Sequence, residues 1–175
     1  MSISQEEAQK LEQDFYRRCG EILRIALQLE DTLEFFIMQY FIRPQGPRSF
    51  FFNDEVLARL NFSFKVELFN KICKELEIEK EKVKMINKNI NNVKEMRNAV
   101  AHYAALINTW DEGFLIHMKR TKRTMFKENM KKITDELVKE TENKKSIASQ
   151  IIIGEIYRRL NEIESKVEKR QRPVV

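Results

Sequence analysis

Few residues in this sequence can carry chemistry. The chain has two histidines, His102 and His117, and two cysteines, Cys19 and Cys73, all far apart in sequence. No CxxC, HxxxH or HExxH pattern occurs, so the sequence provides no zinc site, and no cofactor is expected. The glycines stand alone at 20, 46, 113 and 154. They cannot build the GxGxxG or GxxxxGK loops that cradle phosphates in dinucleotide and NTP folds. What remains is Arg97-Asn98-Ala99-Val100-Ala101-His102. A guanidinium is a rigid fork for anion oxygens, and an imidazole titrates near neutral pH and moves protons.

The element that positions these residues is a helix, predicted from about Lys82 to Tyr103. Val83, Ile86, Ile90, Val93, Val100 and Ala104 form its apolar stripe. At about 100° per residue Arg97 falls at the centre of that stripe. An unpaired guanidinium in a dry core costs several kcal/mol at least. Arg97 must therefore snorkel, meet a carboxylate from another helix, or face a wet, anion-binding cleft. Asn87, Asn91, Asn98 and His102 line a polar flank. Asn98 and His102 are at i and i+4, where side chains can touch. Either this flank is a surface strip, or it is a line of hydrogen-bonding groups ending in a base. Arg97 and His102 lie about 140° apart on an ideal helix. Both meet one substrate only if Arg97 reaches round, the helix end loosens, or two copies meet across a two-fold axis.

The surrounding pattern is helical. Leu11, Phe15, Cys19, Ile22, Ala26, Leu29, Leu33, Phe36 and Tyr40 step by threes and fours, and Arg43 to Pro47 stops that helix. Phe50, Phe51 and Phe52 read as a loop packing back on the core, with a partner-facing patch as the alternative. Asn53 and Asp54 then open a short helix through Leu57 and Leu60. Phe64, Leu68, Ile72 and Leu76 form the next. Leu106 to Met118 reads as a β-hairpin turning at Asp111-Glu112-Gly113. Phe126, Met130, Ile133 and Leu137 restart a helical period, with a possible interruption at Asn143 to Ser146. Ile152, Ile156, Tyr157, Leu160, Ile163 and Val167 resume it. The expected fold is mainly α, an up-and-down bundle of about five or six helices with a small β-hairpin after the motif helix. One domain spans residues 1–175, with a frayed basic tail over 169–175.

Composition agrees with this expectation. With 4 Gly and 3 Pro in 175 residues, breakers are far below the roughly 12% of an average chain, which argues against sandwiches and barrels. Lys+Arg is 32 and Asp+Glu is 27, for a net charge of +5, which permits a nucleic-acid partner without demanding one. No apolar run approaches a membrane span. Two lone cysteines without a signal peptide suggest a reducing, cytoplasmic setting. Lys119, Arg120, Lys122, Arg123, Lys127, Lys131 and Lys132 stand against the single acid Glu128. This run either tracks a phosphate backbone or is a solvated, aggregation-blocking edge.

RNAVAH at 97–102 resembles the signature of the HEPN superfamily: Arg, a polar residue that is often Asn, a few mostly apolar residues, then His. Leu60 to Ile72 resembles the helix preceding that motif in several HEPN-like families, and the resemblance covers loosely residues 5 to 104. It implies a helical fold and a metal-independent endoribonuclease acting as a homodimer, with both motifs facing one cleft. Arg97 would bind the scissile phosphate, His102 would act as general base or acid, and Asn98 would orient either. Beside the resemblance, the charge of Lys119, Arg120, Lys122, Arg123 and Lys127 makes them the candidate RNA-binding residues. The resemblance also implies a toxin or defence effector with an antitoxin or regulatory partner. In some HEPN toxins an antitoxin modifies a Tyr two residues after the His; here Tyr103 follows His102 directly and position 104 is Ala. Two alternatives stand beside this one: a non-catalytic HEPN-like binding or regulatory module, and a helical interaction protein in which Arg97 is a buried ion pair.

Overall fold

The computed structural model describes residues 4–42, 46–103, 107–109, 113–117, 130–156, 158–162 and 165. The described chain is mainly helical, and none of its helices is long and apolar enough to cross a membrane. The expected tail at 169–175 lies outside the described residues. The contacts divide the chain into two units. One comprises Met1–Leu27 and Asn89–Lys145, the other Gln28–Lys88 and Ser146–Val175.

Helix α1 (Gln5–Phe41) begins with a capping box. The Ser4 hydroxyl accepts the Glu7 N–H at 3.2 Å, and the Glu7 carboxylate accepts the Ser4 N–H at 2.8 Å. Its buried apolar positions are Phe15, Cys19, Ile22, Ile25, Ala26, Leu29, Leu33, Phe36 and Ile37, with Gln39 buried beside them. This follows the predicted seam from Phe15 to Phe36, but Leu11 at its start is exposed, Tyr40 at its end is half-buried, and Ile25 and Ile37 join the buried face.

The first unit adds the end of helix α4 (Lys80–Tyr103) and helix α5 (Asp135–Ile151) as far as Lys145. Three short strands complete it: β1 (Ile107–Thr109), β2 (Gly113–His117) and β3 (Met130–Lys132). They pair antiparallel in the order β1-β2-β3, with Ile107 opposite Leu115 and His117 opposite Met130. The helical period expected from Phe126 through Leu137 is corrected here. Met130 is in a strand, and the helix starts only at Asp135, after Thr134 accepts the Leu137 N–H at 3.2 Å. No interruption occurs at Asn143 to Ser146. Lys145 pairs with Glu142 at 2.7 Å, so the polar run is a charge-laced helical face rather than a break.

In the second unit, α2 (Pro47–Glu55) follows with proline at its start, where the missing N–H costs nothing. Phe50 to Phe52 are therefore helical, not a loop folded back on the core. Phe50 and Phe51 are exposed, while the Phe52 ring lies 6.0 Å from that of Phe41. Asn53 and Asp54 belong to the end of α2 rather than to a helix start. A single 3-10 turn, Leu57–Arg59, leads to α3 (Phe62–Glu75). Asn61 caps α3 by accepting the Phe64 N–H at 2.9 Å. The buried face of α3 is Phe62, Lys65, Phe69, Ile72 and Cys73, with Leu76 just beyond. The expected anchor Phe64 is exposed.

Helix α3 closes with Ile78 N–H on Cys73 C=O at 2.9 Å and Glu77 N–H on Lys74 C=O at 3.1 Å. This is a Schellman motif. It places Glu77, a non-glycine residue, in the left-handed region at φ 53°. After α5 the helix widens to a π turn at Ile152–Ile156. Ile152, Ile156 and Leu160 are buried as expected. Tyr157, Ile163 and Val167 lie outside the described side chains.

Candidate functional site

The candidate site lies in the first unit, on the last three turns of α4. The buried positions of this helix are Ile86, Asn89, Ile90, Val93, Met96, Ala99 and Val100. With Arg97 at 0°, the main buried arc runs from Met96 at about −100° through Val93 to Ile90 at about +20°. Its centre is near −40°, so Arg97 sits at the edge of the stripe and not at its middle. Met96 and Asn89 make the difference. Met is flexible and Asn polar, so neither marks a core stripe in the sequence, yet both are buried.

Arg97 is half-buried, and its Nη1 donates to Asn98 Oδ1 at 3.0 Å. Among the described residues no carboxylate pairs with it. A guanidinium only donates, so the amide must turn its oxygen towards Arg97. The Asn98 NH₂ then points elsewhere and has no acceptor among the described residues. Arg97 and Asn98 together thus present donors beside one positive charge that no carboxylate pairs among the described residues. That arrangement suits an oxyanion.

The rest of the polar flank divides. Asn87 belongs to the second unit and donates from Nδ2 to Asn70 Oδ1 at 2.8 Å, tying α4 to α3. It is a packing contact rather than a member of the row. Asn91 is exposed and Asn98 half-buried. His102 lies in the last turn of α4, one turn beyond Asn98; its side chain lies outside the described residues. No family model, curated protein or solved structure matches the chain.

Lys119, Arg120, Lys122, Arg123 and Lys127 also lie outside the described residues. His117 is at the end of β2. Among the described residues no group of three or more His, Cys, Asp or Glu could hold a metal ion. Both thiols are buried, and burial pushes Cys19 up to about 11 and Cys73 up to about 12. Neither can offer a thiolate near neutral pH.

One acid near the site was not anticipated. Glu95 is exposed on α4 at about 160° from Arg97. It shares the strip of Asn91, Asn98 and His102. It also lines a cleft of about 110 Å³ with Met96, Leu137, Thr141 and Lys144. Glu95 looks like an ordinary solvated helix residue in the sequence. Only its four- and seven-residue offsets from Asn91 and His102 mark it.

Proposed function

We propose that the chain is a metal-independent endoribonuclease of the HEPN type, a cytoplasmic toxin or defence effector. In this reading an up-and-down bundle carries the motif helix into a β-hairpin, and RNA is cut at a cleft shared by two copies. One observation supports it above the others. The half-buried Arg97 is bound to a neutral amide and has no carboxylate partner among the described residues. A structural ion pair would neutralise that charge. A phosphate-binding arginine needs it intact.

The chemistry needs little else. RNA brings its own nucleophile, the 2′-hydroxyl. His102 takes that proton or returns one to the leaving oxygen. Arg97 stabilises the charge that develops on the phosphate, and the Asn98 NH₂ adds a second donor. Lys119, Arg120, Lys122, Arg123 and Lys127 track the backbone beyond the scissile bond.

The test is incubation of purified protein with mixed RNA in EDTA, beside Arg97→Ala and His102→Ala. Wild type should leave 2′,3′-cyclic phosphate ends. Either variant should cut slower by about 10²-fold or more while keeping the wild-type circular dichroism spectrum. Unfolding of Arg97→Ala would instead make the guanidinium structural. Equal cutting by His102→Ala would remove the histidine from the chemistry.

A further inference from the structure

We infer that the cleft between α1 and α2 in the second unit docks a basic amphipathic segment of a partner protein. This site is separate from the Arg97 row. Asp31, Glu34, Phe35 and Met38 line one side at i, i+3, i+4 and i+7, which is one face of α1. Phe50 and Asn53 of α2 line the other. The cleft is about 280 Å³, below the usual 300–1,000 Å³ of a cofactor or drug-sized site. It has room for one or two side chains of a protein segment.

Its walls set solvent-exposed aromatic rings among polar and acidic groups. Phe50 is 73% exposed and Phe35 45%, and Phe51 beside the rim is 68% exposed. Large aromatic side chains grouped this way mark an interaction surface. The charge at the rim selects the occupant. The Lys65 ammonium bonds both Glu30 and Glu34, so two carboxylates share one cation. Asp31 is exposed and has no ion-pair partner among the described residues. The cleft is therefore locally acidic on a chain of net charge +5. Nucleic acid, anionic lipid and acidic peptides are repelled. A segment with an apolar side chain beside Arg or Lys satisfies both features. Its apolar group fills the cleft between Phe35 and Phe50, and its cation meets Asp31 or the face of Phe50.

The probe is a fluorescent amphipathic peptide of leucine and arginine, with a counterpart carrying glutamate for every arginine. Fluorescence anisotropy should show the arginine peptide binding at least about tenfold more tightly and weakening as salt rises. Phe50→Ser and Asp31→Lys should each weaken it about tenfold or more. Both residues are exposed, so the fold should survive; circular dichroism checks this. Equal binding of the two peptides, no binding of the arginine peptide, or indifference to Asp31→Lys would overturn the assignment. So would self-association of the wild type that Phe50→Ser abolishes, because the occupant would then be a second copy. None of these readouts depends on RNA cleavage.

Discussion

Lys65 and Arg97 are both cations on helix faces turned towards the interior, and their neighbours treat them in opposite ways. The Lys65 side chain is 3% exposed, and Glu30 and Glu34 both bond its ammonium. Burial pulls the ammonium towards neutrality, but hydrogen bonds and charge from the two carboxylates outweigh it, and the net shift is upward. A group raised above its unfolded value, about 10.4, stabilises the fold fully below that pH. The contribution is lost as pH rises through the higher folded value. Replacing Lys65 with Met strands Glu30 and Glu34 together. The expected loss is about 2 kcal/mol, less than for a fully buried pair because both acids keep some solvent. Adding Glu34→Gln to Lys65→Met should recover part of it. Urea denaturation at neutral pH measures both variants; a loss under about 0.5 kcal/mol, the size of an ordinary surface change, would refute the buried-triad account. Among the described residues no acid pairs with Arg97. The sequence makes Arg97 visible because it interrupts an aliphatic stripe. Lys65 stays hidden because a Lys between Phe64 and Val66 looks solvated. Its only signal is Glu30 and Glu34, four residues apart on α1.

At the scale of elements, the start of α5 is fixed by one carboxylate and two arginines of α1. Asp135 Oδ1 accepts from Arg17 Nη2 and Arg18 Nε, each at 2.9 Å, and Oδ2 accepts from Arg18 Nη2 at 3.1 Å. The hydrogen bonds from Arg18 and then Arg17 hold Asp135 well below the usual carboxylate range. A depressed acid stabilises the fold above its unfolded value, about 3.9, and that contribution fades as pH falls through the folded one. Amide exchange in the first turn of α5 should therefore accelerate in acid below about pH 4, ahead of exchange in the middle of α1. Asp135→Asn should exchange fast at neutral pH and show little further acid response. If α5 and α1 open together at every pH, the clamp is not what holds this helix end. Sequence periodicity located α1 and α4 because their apolar residues recur over many turns. It misplaced α2 because Phe50-Phe51-Phe52 has no period, and proline at a helix start looked like a stop. It misplaced β3 because Met130 and Ile133 also fit a helical spacing of three. The anchors of α3 are shifted because steps of four from Phe64 begin on the outer side of the helix, whereas Phe62 and Phe69 lie about 140–160° away on the buried face.

For the whole molecule, the geometry of α4 governs the proposed activity. Arg97 and His102 leave a regular helix about 140° apart, and α4 remains regular through Tyr103. The half-buried Arg97 is already engaged with Asn98. One copy therefore cannot readily aim both side chains at one phosphate, whereas two copies related by a two-fold axis can pair the Arg97 of one with the His102 of the other. This arrangement predicts complementation. Arg97→Ala and His102→Ala should each cut slower by about 10²-fold or more when alone. When they are mixed and allowed to exchange, half the dimers are hybrid and each hybrid keeps one of two composite sites. Activity should return to roughly a quarter of wild type. Its appearance should track subunit exchange, measured by mass or energy transfer between labelled copies. Mixtures that exchange subunits and stay inactive would mean that each copy builds its site alone. The helix end would then have to loosen to bring His102 round to Arg97.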